Sequence, residues 1–338
     1  MISPPFINPN RSLPKASSPV WSANPRCPAE LAALVSPPVR HPIQGTVFYF
    51  VMPDRFANGD PSNDTGGIAG GRLDHGFDPT NQRLLPRRRS GRADRQARLF
   101  GRYGHQRHLD DAGLQEQPGA GPRRQRVGGL SRLLVHRYDS IRPALWDQCR
   151  VGGADPPGPR RGIKIFFDII ANHTADILSY QEGAFTYRNK ANFPYKDAVG
   201  VEFDDRAYAG GSDFPELDAE TSFPYTPVYN NAGDETLKVP AWLNNPIYYH
   251  NRGDSTFSGE NSLYGDFFGL DDLFTEHPAV VKGMIDIYKD WISNYDIDGF
   301  RVDTVKHVNL EFWQAFIPAI LEHAAALGKE TFSFLARF

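Results

Sequence analysis

Ile163-Lys-Ile-Phe-Phe-Asp-Ile-Ile-Ala-Asn-His-Thr174 is a near-continuous apolar run that ends in Asp168, Asn172 and His173. A half-exposed strand alternates apolar with polar residues. A run that stays apolar at successive positions reads instead as a parallel strand covered on both faces, with its polar groups gathered at the C-terminal mouth. That reading makes the fold α/β. A second stretch, Asp298-Gly-Phe-Arg-Val-Asp-Thr-Val-Lys-His307, alternates Phe300 and Val302 with Arg301 and Asp303. One face is therefore buried and the other charged. An arginine two residues from a carboxylate on the same strand face stabilises its ionised form, which is what a nucleophile requires.

In this order the two stretches closely resemble conserved regions I and II of the α-amylase family, glycoside hydrolase family 13. The resemblance implies a partial TIM (β/α)8 barrel with an inserted domain B after strand three and a site at the C-terminal strand ends. It also implies a retaining mechanism that uses two carboxyl groups. Matched residue by residue, Asp303 resembles the nucleophile and Arg301 its orienting partner. His173 resembles the residue that hydrogen-bonds the sugar in the reacting subsite, and Asp168 the one that supports the strand end and its charges. Lys306 and His307 resemble acceptor-side sugar-binding positions. The activity implied is cleavage of α-1,4-glucosidic bonds in starch-like glucans. A glucanotransferase of the same family and a non-catalytic carbohydrate-binding remnant are the alternatives. The expected partner is an α-glucan, with neither nucleic acid nor membrane.

Length and composition are compatible with this and do not choose it. With 338 residues and 40% hydrophobic content the chain can bury one large core or two modest ones, and a net charge of −3 names no partner. The abundant Phe, Tyr and Trp suit sugar stacking and a barrel core alike. Cys27 and Cys149 are too few for a disulfide framework, and no apolar run is long enough for a membrane helix. Residues 1–45 read as an irregular segment. Met1 to Arg40 is rich in Pro and Ser without a hydrophobic signal core, so no secretory signal is expected in the chain as written. The resemblance nevertheless implies an extracellular or periplasmic protein.

Residues 46–82 read as the barrel start. Thr46 to Met52 forms strand one, followed by a turn-rich loop, Pro53 to Asp64. The loop resembles the calcium loop of bacterial amylases and cyclodextrin glucanotransferases, with Asn58, Asp60, Asn63 and Asp64 at ligand positions and Asn172 as a further ligand. Hard oxygen donors at this density suit Ca²⁺, although Asn, Asp, Gly and Pro also dominate ordinary turns. Residues 162–174 are strand three. Residues 175–270, aromatic, polar and punctuated by proline, correspond to domain B. Residues 271–338 read as helix three, strand four and helix four. Val281, Met284, Ile285, Tyr288, Trp291, Ile292 and Tyr295 make one helix face, started by Pro278. Trp313, Phe316, Ile317, Ile320, Leu321, Ala324 and Leu327 make another, closed by Gly328 and kinked at Pro318.

The stretch 83–161 does not fit a barrel. It holds 18 of the chain's 28 arginines and none of its nine lysines. A disordered basic insertion and a nucleic-acid patch are two readings; a frameshifted translation is the third. Dropping one base from a suitable codon choice turns Arg83 to Arg92 into Gly-Phe-Tyr-His-Gly-Gly-Asp-Leu-Ala. The same shift turns Gly104 to Leu114 into the apolar Gly-Ile-Asn-Ala-Ile-Trp-Met-Thr-Pro-Val. Gly129 to Val135 and Ser140 to Asp155 likewise yield family-like segments, and the frame is regained near Arg161. The segment is accordingly expected to be frameshifted and disordered. The family's general acid/base glutamate belongs at the end of strand five, where this chain has Leu335-Ala-Arg-Phe338. Glu330, the nearest carboxylate, is not assigned that role.

Overall fold

The computed structural model describes residues 48–51, 107–110, 114–116, 135–141, 164–295 and 297–336. The strands, in chain order, are β1 (Phe48–Val51), β2 (Arg107–Asp110), β3 (Leu114–Glu116), β4 (Val135–Ile141), β5 (Lys164–Ile169), β6 (Leu178–Tyr180), β7 (Tyr195–Lys196), β8 (Glu202–Phe203), β9 (Pro227–Tyr229), β10 (Gly299–Val302) and β11 (Ser333–Ala336). The helices are α1 (Asn261–Tyr264), α2 (Pro278–Asn294) and α3 (Leu310–Ala326).

Five strands form one sheet in the order β1-β2-β5-β10-β11, and every neighbouring pair is parallel. Parallel neighbours need crossovers, and α2 and α3 supply those from β5 to β10 and from β10 to β11. This is the α/β fold expected from the apolar run. The register sets Phe300 beside Phe167 and Arg301 beside Asp168. Because side chains alternate along a strand, one sheet face carries Phe167, Ile169, Phe300 and Val302, and the other carries Asp168 and Arg301. The helices cover the first face. The Phe167 ring meets Trp291 edge-on with centroids 5.8 Å apart, and Tyr288 meets Phe300 at 5.4 Å. Each fully buried side chain of this size stabilises by about 1.5–3 kcal/mol.

The helices largely follow their stripes. Met284, Tyr288, Trp291 and Ile292 are buried on α2, and Phe312, Trp313, Phe316, Ile320 and Ala324 on α3. Leu321 and Leu327 are exposed, contrary to the expected stripe; Leu327 is the C-cap, beyond the last helical residue. Pro318 lies inside α3, and Gly328 with φ +75° closes it, its N–H reaching the Ala325 carbonyl at 2.8 Å. The Nδ1 atom of His277 caps α2 by accepting from Ala279 N–H at 3.1 Å. The Tyr288 hydroxyl donates to the Ile170 carbonyl at 2.6 Å, pinning α2 to the exit of β5.

Residues 175–270 contain two small antiparallel pairs, β6 with β9 and β7 with β8, among turns and short 3-10 helices. They dock on α2 through Trp242: a Cβ added at Gly283 would stand 2.5 Å from the Trp242 indole ring, so only glycine leaves the notch that the ring fills.

The expectation that 83–161 lacks regular structure is corrected by β2, β3 and β4. β2 lies between β1 and β5 and pairs with both. Its sequence, Arg-His-Leu-Asp, has no strand pattern. A slot between two parallel strands is filled through backbone hydrogen bonds, which do not depend on side-chain identity. Also, β11 follows α3, so the C-terminal part holds one strand more than helix three, strand four and helix four.

Candidate active site

β5 and β10 end side by side, and their polar residues meet there. Nη1 of Arg301 donates to Asp168 Oδ1 and Oδ2 at 2.8 and 2.9 Å, and lies 2.6 Å from Asp303 Oδ1. One guanidinium thus bridges two carboxylates at the strand mouth. Burial of Arg301 works against its charge, but Asp168 and Asp303 outweigh that and raise its pKa. The backbone fixes the same place, since Asp303 N–H donates to the Ile169 carbonyl at 2.9 Å. Asp303 remains partly exposed, with 30% of its side chain accessible against 12% for Asp168.

Directly after Asp303, Thr304 adopts φ +54°. For a β-branched residue this left-handed conformation is strained, and strain of that kind concentrates at functional sites. The Thr304 hydroxyl donates to the Asp303 carbonyl at 2.7 Å, and a 3-10 turn at Val305–His307 follows. On that turn Lys306 is exposed, whereas His307 is buried. The His307 Nδ1 lies 2.7 Å from the Ser262 carbonyl, so this nitrogen carries the proton.

His173 is fully buried, and its ring stacks on Phe267 with centroids 4.9 Å apart. Burial, with help from nearby His307, lowers its pKa to about 3, so the ring is neutral. Phe267 also meets His307 at 5.3 Å, and the exposed Phe257 and Phe268 pack against it. An apolar aromatic face therefore borders the two histidines. Sequence reading singled out none of these three phenylalanines. The Phe267-Phe268 pair, in a stretch without periodicity, was the available signal.

Asn172 is buried below the same mouth. Its amide nitrogen contacts Asp272 Oδ1 and lies 3.4 Å from the His307 carbonyl, while its Oδ1 is 3.3 Å from His173 Nδ1. Asp272 was missed by sequence reading because it lies 100 positions away in the chain. Asn58, Asp60, Asn63 and Asp64 lie outside the described residues. Among the described residues, no group of three or more His, Cys, Asp or Glu side chains is placed to hold a metal ion. A site made of one amide, one carboxylate and a backbone carbonyl is a different donor set, and those three groups do converge at Asn172.

The adjacent strand end differs. β11 pairs with β10 through Val302 and Ala336, so Ala336 ends β11 beside the residue that precedes Asp303. Leu335, Ala336, Arg337 and Phe338 include no carboxylate. Glu330 precedes β11 and is exposed at the opposite end of the sheet from Asp303.

Residues 159–319 match the family model described as the α-amylase catalytic domain. Through that segment the chain belongs to the α-amylase family. It is 37% identical over 318 residues to an α-amylase of Streptomyces lividans, covering 91% of this chain and 33% of that protein. It is 26% identical over 313 residues to a periplasmic α-amylase of Escherichia coli (strain K12), covering 79% of this chain and 41% of the other. The chain thus spans well under half the length of these α-amylases. Among solved structures, an Anoxybacillus α-amylase superposes with a TM-score of 0.54 at 20% identity, over 86% of this chain and 46% of that one. At that identity the likeness speaks for the fold alone.

Proposed function

We propose that the protein is an α-amylase-type retaining glycoside hydrolase of α-1,4-glucans, with Asp303 as nucleophile. The observation that carries this is the Arg301 guanidinium bridging Asp168 and Asp303 at the shared mouth of β5 and β10. Arg301 keeps Asp303 ionised and holds its Oδ1, orienting the carboxylate for attack on the anomeric carbon. Asp168 fixes Arg301 from behind. His173, neutral and held flat on Phe267, hydrogen-bonds a sugar hydroxyl in the reacting subsite. Lys306 and His307 serve the acceptor side, and the exposed rings of Phe257 and Phe268 offer stacking surface. The five parallel strands are part of a TIM barrel, with 175–270 as its inserted domain B. An extracellular or periplasmic location agrees with the likeness to the periplasmic α-amylase of E. coli.

A retaining enzyme also needs a proton donor about 5 to 5.5 Å from the nucleophile. The end of β11 is the place for it, and Leu335 to Phe338 supplies none. Read in another frame, with two bases dropped from a suitable codon choice, that stretch gives a family-like Gly-Glu-Val. We therefore propose that the frame-restored, extended form is the active one.

The donors at Asn172 fit calcium. The two ends of an amide exchange by rotation, so an Asn172 oxygen can join the Asp272 carboxylate and the His307 carbonyl, all hard donors. Asn58, Asp60, Asn63 and Asp64 would hold a second ion. Bound there, calcium would tie the β5 exit to the turn after Asp303. The test of the whole reading is reducing-sugar release from soluble starch by the frame-restored protein of confirmed mass. Activity abolished by Asp303→Asn supports it; activity that survives that change overturns it.

A further inference from the structure

Tyr288 projects from α2 into the helix-covered face of the sheet, where its ring meets Phe300 at 5.4 Å and Phe316 at 5.7 Å. Packing of that kind calls for a ring and not for a hydroxyl, so phenylalanine would fill the place as well. The residue is fully buried, and burying a hydroxyl is costly unless it is bonded. Here its oxygen makes two bonds, both to the backbone of one residue. It donates to the Ile170 carbonyl at 2.6 Å and accepts from the Ile170 N–H at 3.2 Å.

Ile170 is the first residue past β5, and its N–H belongs to the same planar amide as the carbonyl of Ile169. That carbonyl accepts from the Asp303 N–H at 2.9 Å. One rigid plane is thus held at its N–H end by a hydroxyl of α2 and at its carbonyl end by the backbone of the nucleophile. Turning the plane about the chain breaks both bonds at once. Hydrogen bonds in series also polarise one another, so the hold on the N–H strengthens the carbonyl as an acceptor. Among the described residues the ladder of β5 with β2 ends at Phe167 and Asp110, short of this plane. On the other side of Asp303 stands Thr304 at φ +54°, a strained neighbour that gives the backbone no rest.

We propose that Tyr288 is a positioning residue for the nucleophile: from the sheet face opposite the site, its hydroxyl sets the tilt of the Ile169–Ile170 amide and with it the seat of the Asp303 backbone. This rests on the reading of Asp303 as nucleophile and deepens it. Arg301 holds the carboxylate of Asp303 at one end, 2.6 Å from Oδ1, and the amide relay holds the same residue at the other. The control lies at the opposite end of β10, where the Asp298 N–H donates to the Ile165 carbonyl at 2.7 Å without any hydroxyl behind it.

Amide hydrogen exchange of the 338-residue chain, parent against Tyr288→Phe, tests the relay without turnover. Loss of the hydroxyl should speed exchange at Asp303 about tenfold relative to Asp298. Equal acceleration of the two amides, or none, overturns the proposal, because the hydroxyl then serves stability alone. In the frame-restored protein the same change should lower kcat about tenfold with KM held within about twofold, since a misplaced nucleophile costs rate and not binding. An unchanged kcat overturns the positioning role while leaving Asp303 as nucleophile; activity that survives Asp303→Asn overturns the nucleophile reading itself and the role with it. Should Tyr288→Phe not fold, the parent decides. Its Ile170 and Asp303 amides should open together as one unit, and protection at Asp303 that long outlasts that at Ile170 overturns the relay.

Discussion

β10 and β11 lie side by side, matched residue for residue from Gly299 with Ser333 to Val302 with Ala336, and their C-terminal ends could hardly differ more. One ends in Arg301-Val302-Asp303, with a guanidinium shared between two carboxylates and a strained threonine behind them. The other ends in Phe334-Leu335-Ala336. The backbone has built two equivalent places, and only one is furnished with chemistry. Register and burial decide where a group stands; reaction depends on which side chain stands there. Hydrolysis needs both.

The largest test of that contrast is catalytic. The 338-residue chain should release reducing sugar from soluble starch at least about 10²- to 10⁴-fold more slowly than its frame-restored counterpart, the usual contribution of a general acid. Clear turnover by the chain as written, lost on Asp303→Asn, would break the comparison, because β11 would then not be the deficient end.

The next effect is on stability at the furnished end. Arg301→Met leaves Asp168 and Asp303 facing each other without their shared cation. Breaking a buried pair costs about 3–5 kcal/mol, and partial exposure here places the expectation near about 2–3 kcal/mol in urea denaturation. A change at Leu335 of similar conservatism, Leu335→Met, should stay within about 1.5 kcal/mol. Equal losses at both ends would mean that the ion pair adds nothing.

Away from both strand ends, Gly283→Ala should cost about 1–3 kcal/mol by driving a methyl group into Trp242. Trp242→Leu in the same chain should recover part of that loss. Additive losses in the double variant would show that the notch is not what Gly283 provides.

The smallest effect concerns pH. Burial lowers the His277 pKa from 6.5 to about 4, and its Nδ1 can cap α2 only while unprotonated. A base with a depressed folded pKa contributes stability that is complete above about 6.5 and lost as pH falls through about 4, because the unfolded chain takes up the proton first. His277→Asn keeps a capping oxygen without that titration. Thermal melts from pH 7 to 4 should therefore show a shallower acid decline in the variant. An identical decline would remove His277 as its source.

The furnished end was legible in sequence because local pattern and chemistry coincide there. Apolar runs flank Asp168, Arg301 and Asp303, and alternation alone predicts which side chains share a face. The helices were legible for the same reason, down to the glycine that closes α3. Asp272 and Phe267 were not, since each acts through partners far off in the chain and sits in a stretch without helical or strand period. β2 was missed for a different cause: hydrogen bonding between β1 and β5 overrides a sequence that has no strand pattern of its own.

Thr304 has one more consequence. A left-handed threonine costs about 1–3 kcal/mol relative to a residue at ease there, and glycine would relieve it. Thr304→Gly should therefore make the fold sturdier while letting the Asp303 backbone wander. Seen this way, the turn behaves as a loaded spring behind the nucleophile, and selection for ruggedness alone would release it at the expense of aim.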